Sequence, residues 1–78
     1  RSNNTYLQVG AFNSEVAAAK LSDRVQGLSS YPVVVRHQEN PQQLFKVLIG
    51  PVKNNLKLLD LRKLLRQAEN LSSFVVYE

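Results

Sequence analysis

From Thr5 to Phe12 the chain reads Thr-Tyr-Leu-Gln-Val-Gly-Ala-Phe, rich in aromatic and β-branched residues, which predicts a strand. Two-residue alternation puts Leu7 and Val9 on one face and Tyr6, Gln8 and Gly10 on the other. The period then changes. Ala18, Leu21, Val25 and Leu28 recur at spacings of 3, 4 and 3, the stripe of an amphipathic helix. Asn13 or Ser14 stands at its cap, Glu15 complements the dipole of its first turn, and Gly27 sits where a helix ends. The predicted span is residues 13–27. Pro32 opens a second strand over Val33 to His37, and Glu39-Asn40-Pro41 is turn chemistry. A third strand runs from Leu44 to Ile49, with Phe45, Val47 and Ile49 as its core set and Leu44, Lys46 and Leu48 facing away. Gly50-Pro51 stops it. Asn54 or Asn55 caps a second helix whose Leu58, Leu61, Leu65 and Ala68 repeat the 3, 4, 3 spacing. Asn70 ends that helix. Leu71 to Tyr77 is the last strand, with Phe74 and Val76 on one face and Ser73, Val75 and Tyr77 on the other.

The order is β-α-β-β-α-β. Strands two and three form a hairpin, and right-handed crossovers place both helices on one side of the sheet. The expected fold is therefore α+β and ferredoxin-like (RNP-type): a two-layer sandwich of a four-stranded antiparallel sheet and two helices on one face. Residues 1–4 are a flexible lead-in and residues 5–78 a single domain. The other sheet face stays uncovered, which makes it a natural binding platform.

Composition narrows the chemistry. The chain has 78 residues, 44% of them apolar, enough for one small core. It has no Cys and one His, His37, which excludes thiolate chemistry and Cys- or His-cluster metal sites. Its apolar runs are too short to span a membrane, so no membrane insertion is expected. The chain opens at Arg1 and contains no Met, as expected of a module cut from a longer protein. Ten Lys and Arg against six acids leave a net charge of +4, which favours an anionic partner. The acids read as helix-surface partners: Asp23 for Lys20, Asp60 for Lys57 and Lys63, Glu69 for Arg66. No two carboxylates share the open face, so two-acid glycoside hydrolysis has no candidates. The serines have no base beside them in the pattern. No catalytic residue, metal or cofactor is expected.

Two heptapeptides carry more information. Tyr6-Leu7-Gln8-Val9-Gly10-Ala11-Phe12 ends strand one, and Phe45-Lys46-Val47-Leu48-Ile49-Gly50-Pro51 ends strand three. Together with the element order they resemble the bacterial SPOR (sporulation-related) domain. Its usual pattern is aromatic-x-Gln-Val-Gly-Ser-Phe in the first strand and Arg-Val-x-hydrophobic-Gly-Pro in the third. The resemblance runs over residues 5–77, and Ala18, Leu21 and Val25 fall at the family's first-helix core positions. It implies a non-catalytic module that binds septal peptidoglycan (GlcNAc-MurNAc strands) lacking stem peptides, in the periplasm or cell envelope. Such a module targets its parent to the division site, for example as the C-terminal part of a division protein or of a lytic transglycosylase of the rare lipoprotein A type.

The residues suit that ligand chemically. Removing the stem peptide frees one lactyl carboxylate per repeat, so the stripped glycan is a regular polyanion. Lys46 is a charge partner for it. Gln8 offers both an amide donor and an acceptor to sugar hydroxyl and N-acetyl groups. Tyr6 and Leu44 offer apolar surface to sugar faces. Arg36 lies on the same hairpin, though alternation alone leaves its side of the sheet open, and Val75 either completes the groove from strand four or merely packs. Three positions depart from the family pattern: Ala11 stands for Ser, Lys46 for Arg, and Leu44 for an aromatic. Lys lacks the planar fork of Arg. Two other readings compete. One is an RRM-like RNA-binding module, which would want several aromatics on the open face for base stacking. The other is a regulatory or protein-docking ferredoxin-like domain that pairs through an apolar open face. The glycan reading carries no nucleic-acid partner and a monomeric state.

Overall fold

A computed structural model describes residues 4–78. The elements are β1 (Thr5–Phe12), α1 (Glu15–Val25), β2 (Val33–Gln38), β3 (Leu44–Ile49), α2 (Asn55–Glu69) and β4 (Phe74–Tyr77). All strand pairs are antiparallel, in the order β2-β3-β1-β4. The α+β architecture and the element order are those expected from the pattern.

Local chemistry sets the helix ends. The Ser14 hydroxyl accepts from the Ala17 N–H at 3.2 Å and so caps α1. The Asn54 carboxamide accepts from Leu56 N–H at 2.8 Å and Lys57 N–H at 3.3 Å, satisfying two of the free donors of α2. Asn70 closes α2 in the left-handed conformation, φ 56°, which Asn tolerates better than most residues. Its N–H donates to the Arg66 carbonyl, and the Leu71 N–H reaches the Leu65 carbonyl at 3.2 Å. This closing turn is why β4 starts at Phe74 and not at Leu71: Leu71 packs against the core instead of pairing. Of the lead-in, residues 1–3 lie outside the described residues. Asn4 exchanges two backbone hydrogen bonds with Glu78, at 2.8 and 2.9 Å.

The core lies between the helices and one sheet face. Leu7, Val9, Val47 and Ile49 meet Ala18, Leu21 and Val25 of α1 and Leu58, Leu61 and Leu65 of α2, with Val52 plugging the β3–α2 connection. Arg24 links the two helices by donating to the Glu69 carboxylate at 2.9 and 3.0 Å. That changes the expected charge pairing. Glu69 goes to Arg24 and not to Arg66, whose guanidinium donates to the Ser72 hydroxyl at 2.7 Å and the Asn70 carboxamide at 3.3 Å. The pairs expected within each helix are not formed among the described residues, because exposed pairs gain too little to hold two long side chains in place.

β1 carries a bulge. Gln8 pairs with Leu48 but the next partner, Val47, takes Gly10, so Val9 is extra. Every residue beyond Val9 therefore changes face relative to simple alternation. Gly10 turns toward the helices, where an added Cβ would lie 2.6 Å from Leu21 Cδ2. The expectation that Gly10 shares the face of Tyr6 and Gln8 is corrected here, and Ala11 takes that place.

Candidate functional site

The register fixes what stands on the uncovered face. The central row is Val34, Leu48, Gln8 and Phe74, from β2 to β4. Toward the hairpin end come Arg36, Lys46 and Ala11, then Gln38 and Leu44. Toward the other end Tyr6 stands beside Val76. Six of the seven residues proposed from sequence thus share one surface: Tyr6, Gln8, Ala11, Arg36, Leu44 and Lys46. The bulge is what brings Ala11 among them.

Val75 is the exception. β4 pairs with β1 so that Val75 lies opposite Leu7, and it packs against the core on the helix side. It cannot complete the groove. Its neighbour Phe74 does, opposite Gln8 and 57% exposed. Alternation in the sequence separates Phe74 from Val75, but only pairing with β1 tells which of them faces out.

The face is not a flat apolar patch. Leu48 is 0% exposed and Tyr6 8%, yet neither belongs to the helix-side core. Gln8 is 9% exposed, and none of its side-chain polar atoms is buried without a hydrogen-bond partner. Gly50, at φ +147°, is placed so that a Cβ would meet the Thr5 carbonyl and Tyr6 Cδ2, both at 3.0 Å, so glycine leaves room for the tyrosine ring.

Charge concentrates at the next row. Arg36 and Lys46 are direct cross-strand partners, an arrangement in which like charges repel. Arg36 is relieved by the Glu78 carboxylate, which lies 2.9 Å from its Nε, and its guanidinium carbon lies 5.9 Å from the Tyr6 ring centroid. No carboxylate among the described residues lies within ion-pair distance of Lys46. His37 is on the opposite side of β2, stacked on Phe45 at 4.5 Å between ring centres.

Two open concavities lie elsewhere on the surface. A concavity of about 430 Å³ runs along the outer side of α2, lined by Leu59, Arg62, Lys63, Arg66, Gln67, Leu71, Ser72 and Ser73. A second, of about 240 Å³, lies between the α1–β2 connection and α2. Neither includes an open-face residue. The face is a shallow track with a buried middle, a shape suited to a polymer lying across it more than to a small molecule held in a cavity. Among the described residues no group of three His, Cys, Asp or Glu is placed to hold a metal ion.

Sheet, backing helices and this exposed track define a class, the small α+β binding module. The SPOR domain family model matches residues 2–77, and the chain belongs to the SPOR domain family. It is similar to the crystal structure of the RlpA SPOR domain from Pseudomonas aeruginosa: 30% identity, 92% of this chain and 96% of that one covered, TM-score 0.83. It shares its fold with the solution structure of the peptidoglycan binding domain of the B. subtilis cell wall lytic enzyme CwlC: 22% identity, 100% of this chain and 92% of that one covered, TM-score 0.79. No curated protein sequence matches the chain.

Proposed function

We propose that the domain binds peptidoglycan through the open face of its sheet, and that its ligand is the glycan strand stripped of stem peptides. The observation that carries this reading is the cross-strand cation pair Arg36–Lys46 on the same surface as Gln8, Leu44 and Phe74. Two cations held side by side gain from an anion between them, and the stripped glycan brings one carboxylate per repeat. An intact strand carries that carboxyl as an amide, with no charge to offer. Gln8 supplies the donor and acceptor for an N-acetyl group. Leu44 and Phe74 are the apolar surfaces for sugar rings at the two ends of the track. Ala11 has no side chain beyond Cβ, which lets a ring approach β1 closely. The domain is a binding and targeting module without a reaction of its own, and it brings its parent to the septum of the periplasmic wall, where stripped strands accumulate.

Co-sedimentation with purified sacculi tests the reading. Amidase treatment should raise the bound fraction, and Lys46→Glu or Gln8→Ala should lower it. Phe74→Ala should lower it too, without a change in melting temperature, because that ring is mostly in water. Equal binding to treated and untreated sacculi would defeat the claim for stripped strands. The RNA-binding alternative has little support: of the open-face aromatics, Tyr6 is buried and Phe74 stands alone at an edge.

A further inference from the structure

β2 and β4 are the two edges of the sheet; on its open side Arg36 stands midway along β2, and Glu78 follows the end of β4, paired with Asn4. A flat sheet would hold the two far apart, but strand twist lets opposite edges approach over one face. The Arg36 Nε lies 2.9 Å from the Glu78 carboxylate. An ion pair between opposite edges must cross the face between them. That face contains the buried Leu48 and Gln8, although no helix covers it. Arg36 also stands within cation–π range of Tyr6.

We propose that Glu78 is a built-in competitor of the ligand: its carboxylate holds, on Arg36, the place a glycan carboxylate takes on binding. This rests on the glycan-binding reading above and deepens it. A neutral glycan has no anion to exchange for Glu78 on Arg36 and leaves the ion-pair strap in place. A strand with free carboxylates exchanges one anion for another on Arg36 and adds a second contact at Lys46. Both side chains of the strap are partly in water, 48% and 28% exposed, so the exchange needs no opening of the fold.

Glu78→Gln removes the competitor and leaves a side chain of the same shape. Its affinity for amidase-stripped glycan oligomers should rise roughly two- to fivefold, the range that releasing an exposed ion pair supports. Asp23→Asn makes the same change in net charge on α1, away from the face, and should leave affinity unchanged. In an Arg36→Gln background Glu78→Gln should give no gain. Affinity for a neutral oligomer of N-acetylglucosamine should not rise with Glu78→Gln. The Arg36 side-chain N–H resonance should shift in Glu78→Gln, and in the wild type when stripped glycan is added. Equal gains from Glu78→Gln and Asp23→Asn would overturn the proposal, as would a gain on the neutral oligomer equal to that on stripped glycan. If the wild type itself does not bind stripped glycan, the function proposed above fails first. If it binds and Glu78→Gln matches the wild type, the strap alone is wrong.

Discussion

Gly10→Ala tests the bulge that turns Ala11 onto the open face. With the bulge in place, position 10 points at α1, and the new methyl would stand 2.6 Å from Leu21 Cδ2 and 3.0 Å from Phe12 Cε2. Leu21 is in the core, so its side chain has little room to yield. Over-packing of this kind costs about 1–3 kcal/mol. Loss of glycine freedom in the unfolded chain offsets about 0.4–1 kcal/mol of it. The net is a loss of roughly 0–2.6 kcal/mol, centred near about 1.3 kcal/mol, or roughly 5–10 °C in melting temperature at that centre for a domain of this size. Urea unfolding followed by circular dichroism reads this as a lower midpoint at constant slope. Leu21→Ala should itself cost about 2–5 kcal/mol, and the double variant should be more stable than the sum of the two losses, because the methyl then enters the space Leu21 vacates. Binding to stripped glycan by the folded protein should stay at the wild-type level. A Gly10→Ala protein of wild-type stability but with lost binding would refute the reasoning. It would mean that position 10 faces outward, that the strand runs without a bulge, and that Ala11 lies inside.

Other consequences are simpler to measure. Leu48→Ala should cost about 2–5 kcal/mol in chemical denaturation although it stands on the face without helices, because its side chain is fully buried there; a loss below about 0.5 kcal/mol would show that the middle of the face is open to water. Asn54→Ala removes the acceptor for two N–H groups and should lower stability by about 1 kcal/mol in the same assay, with Asn54→Asp near wild type. Asn70→Gly should be neutral or slightly stabilising at its left-handed backbone position, whereas Asn70→Val should be destabilising in a thermal melt. Arg24→Gln should cost no more than about 1 kcal/mol, and adding salt should shrink that difference, as expected of a pair standing partly in water.

Much of the protein follows from residue order alone. Alternating and 3-4-3 spacings separate strands from helices, Ser14, Asn54 and Asn70 mark helix ends, and right-handed crossovers leave one sheet face bare. These are short-range preferences, and each is written within a few neighbouring residues. Which side a strand residue faces in the assembled sheet is another matter, because it depends on the partner strand. Val9 bulges because β3 pairs with Gln8 and then with Gly10, and this turns Ala11 outward. Leu7 opposite Val75 sends Phe74, not Val75, to the binding surface. Arg24 meets Glu69, and Arg36 meets Glu78, across 45 and 42 positions of chain, so no local pattern announces either pair. Local sequence sets each element through backbone geometry and nearby contacts; register, twist and long-range charge pairing arise only when distant segments meet.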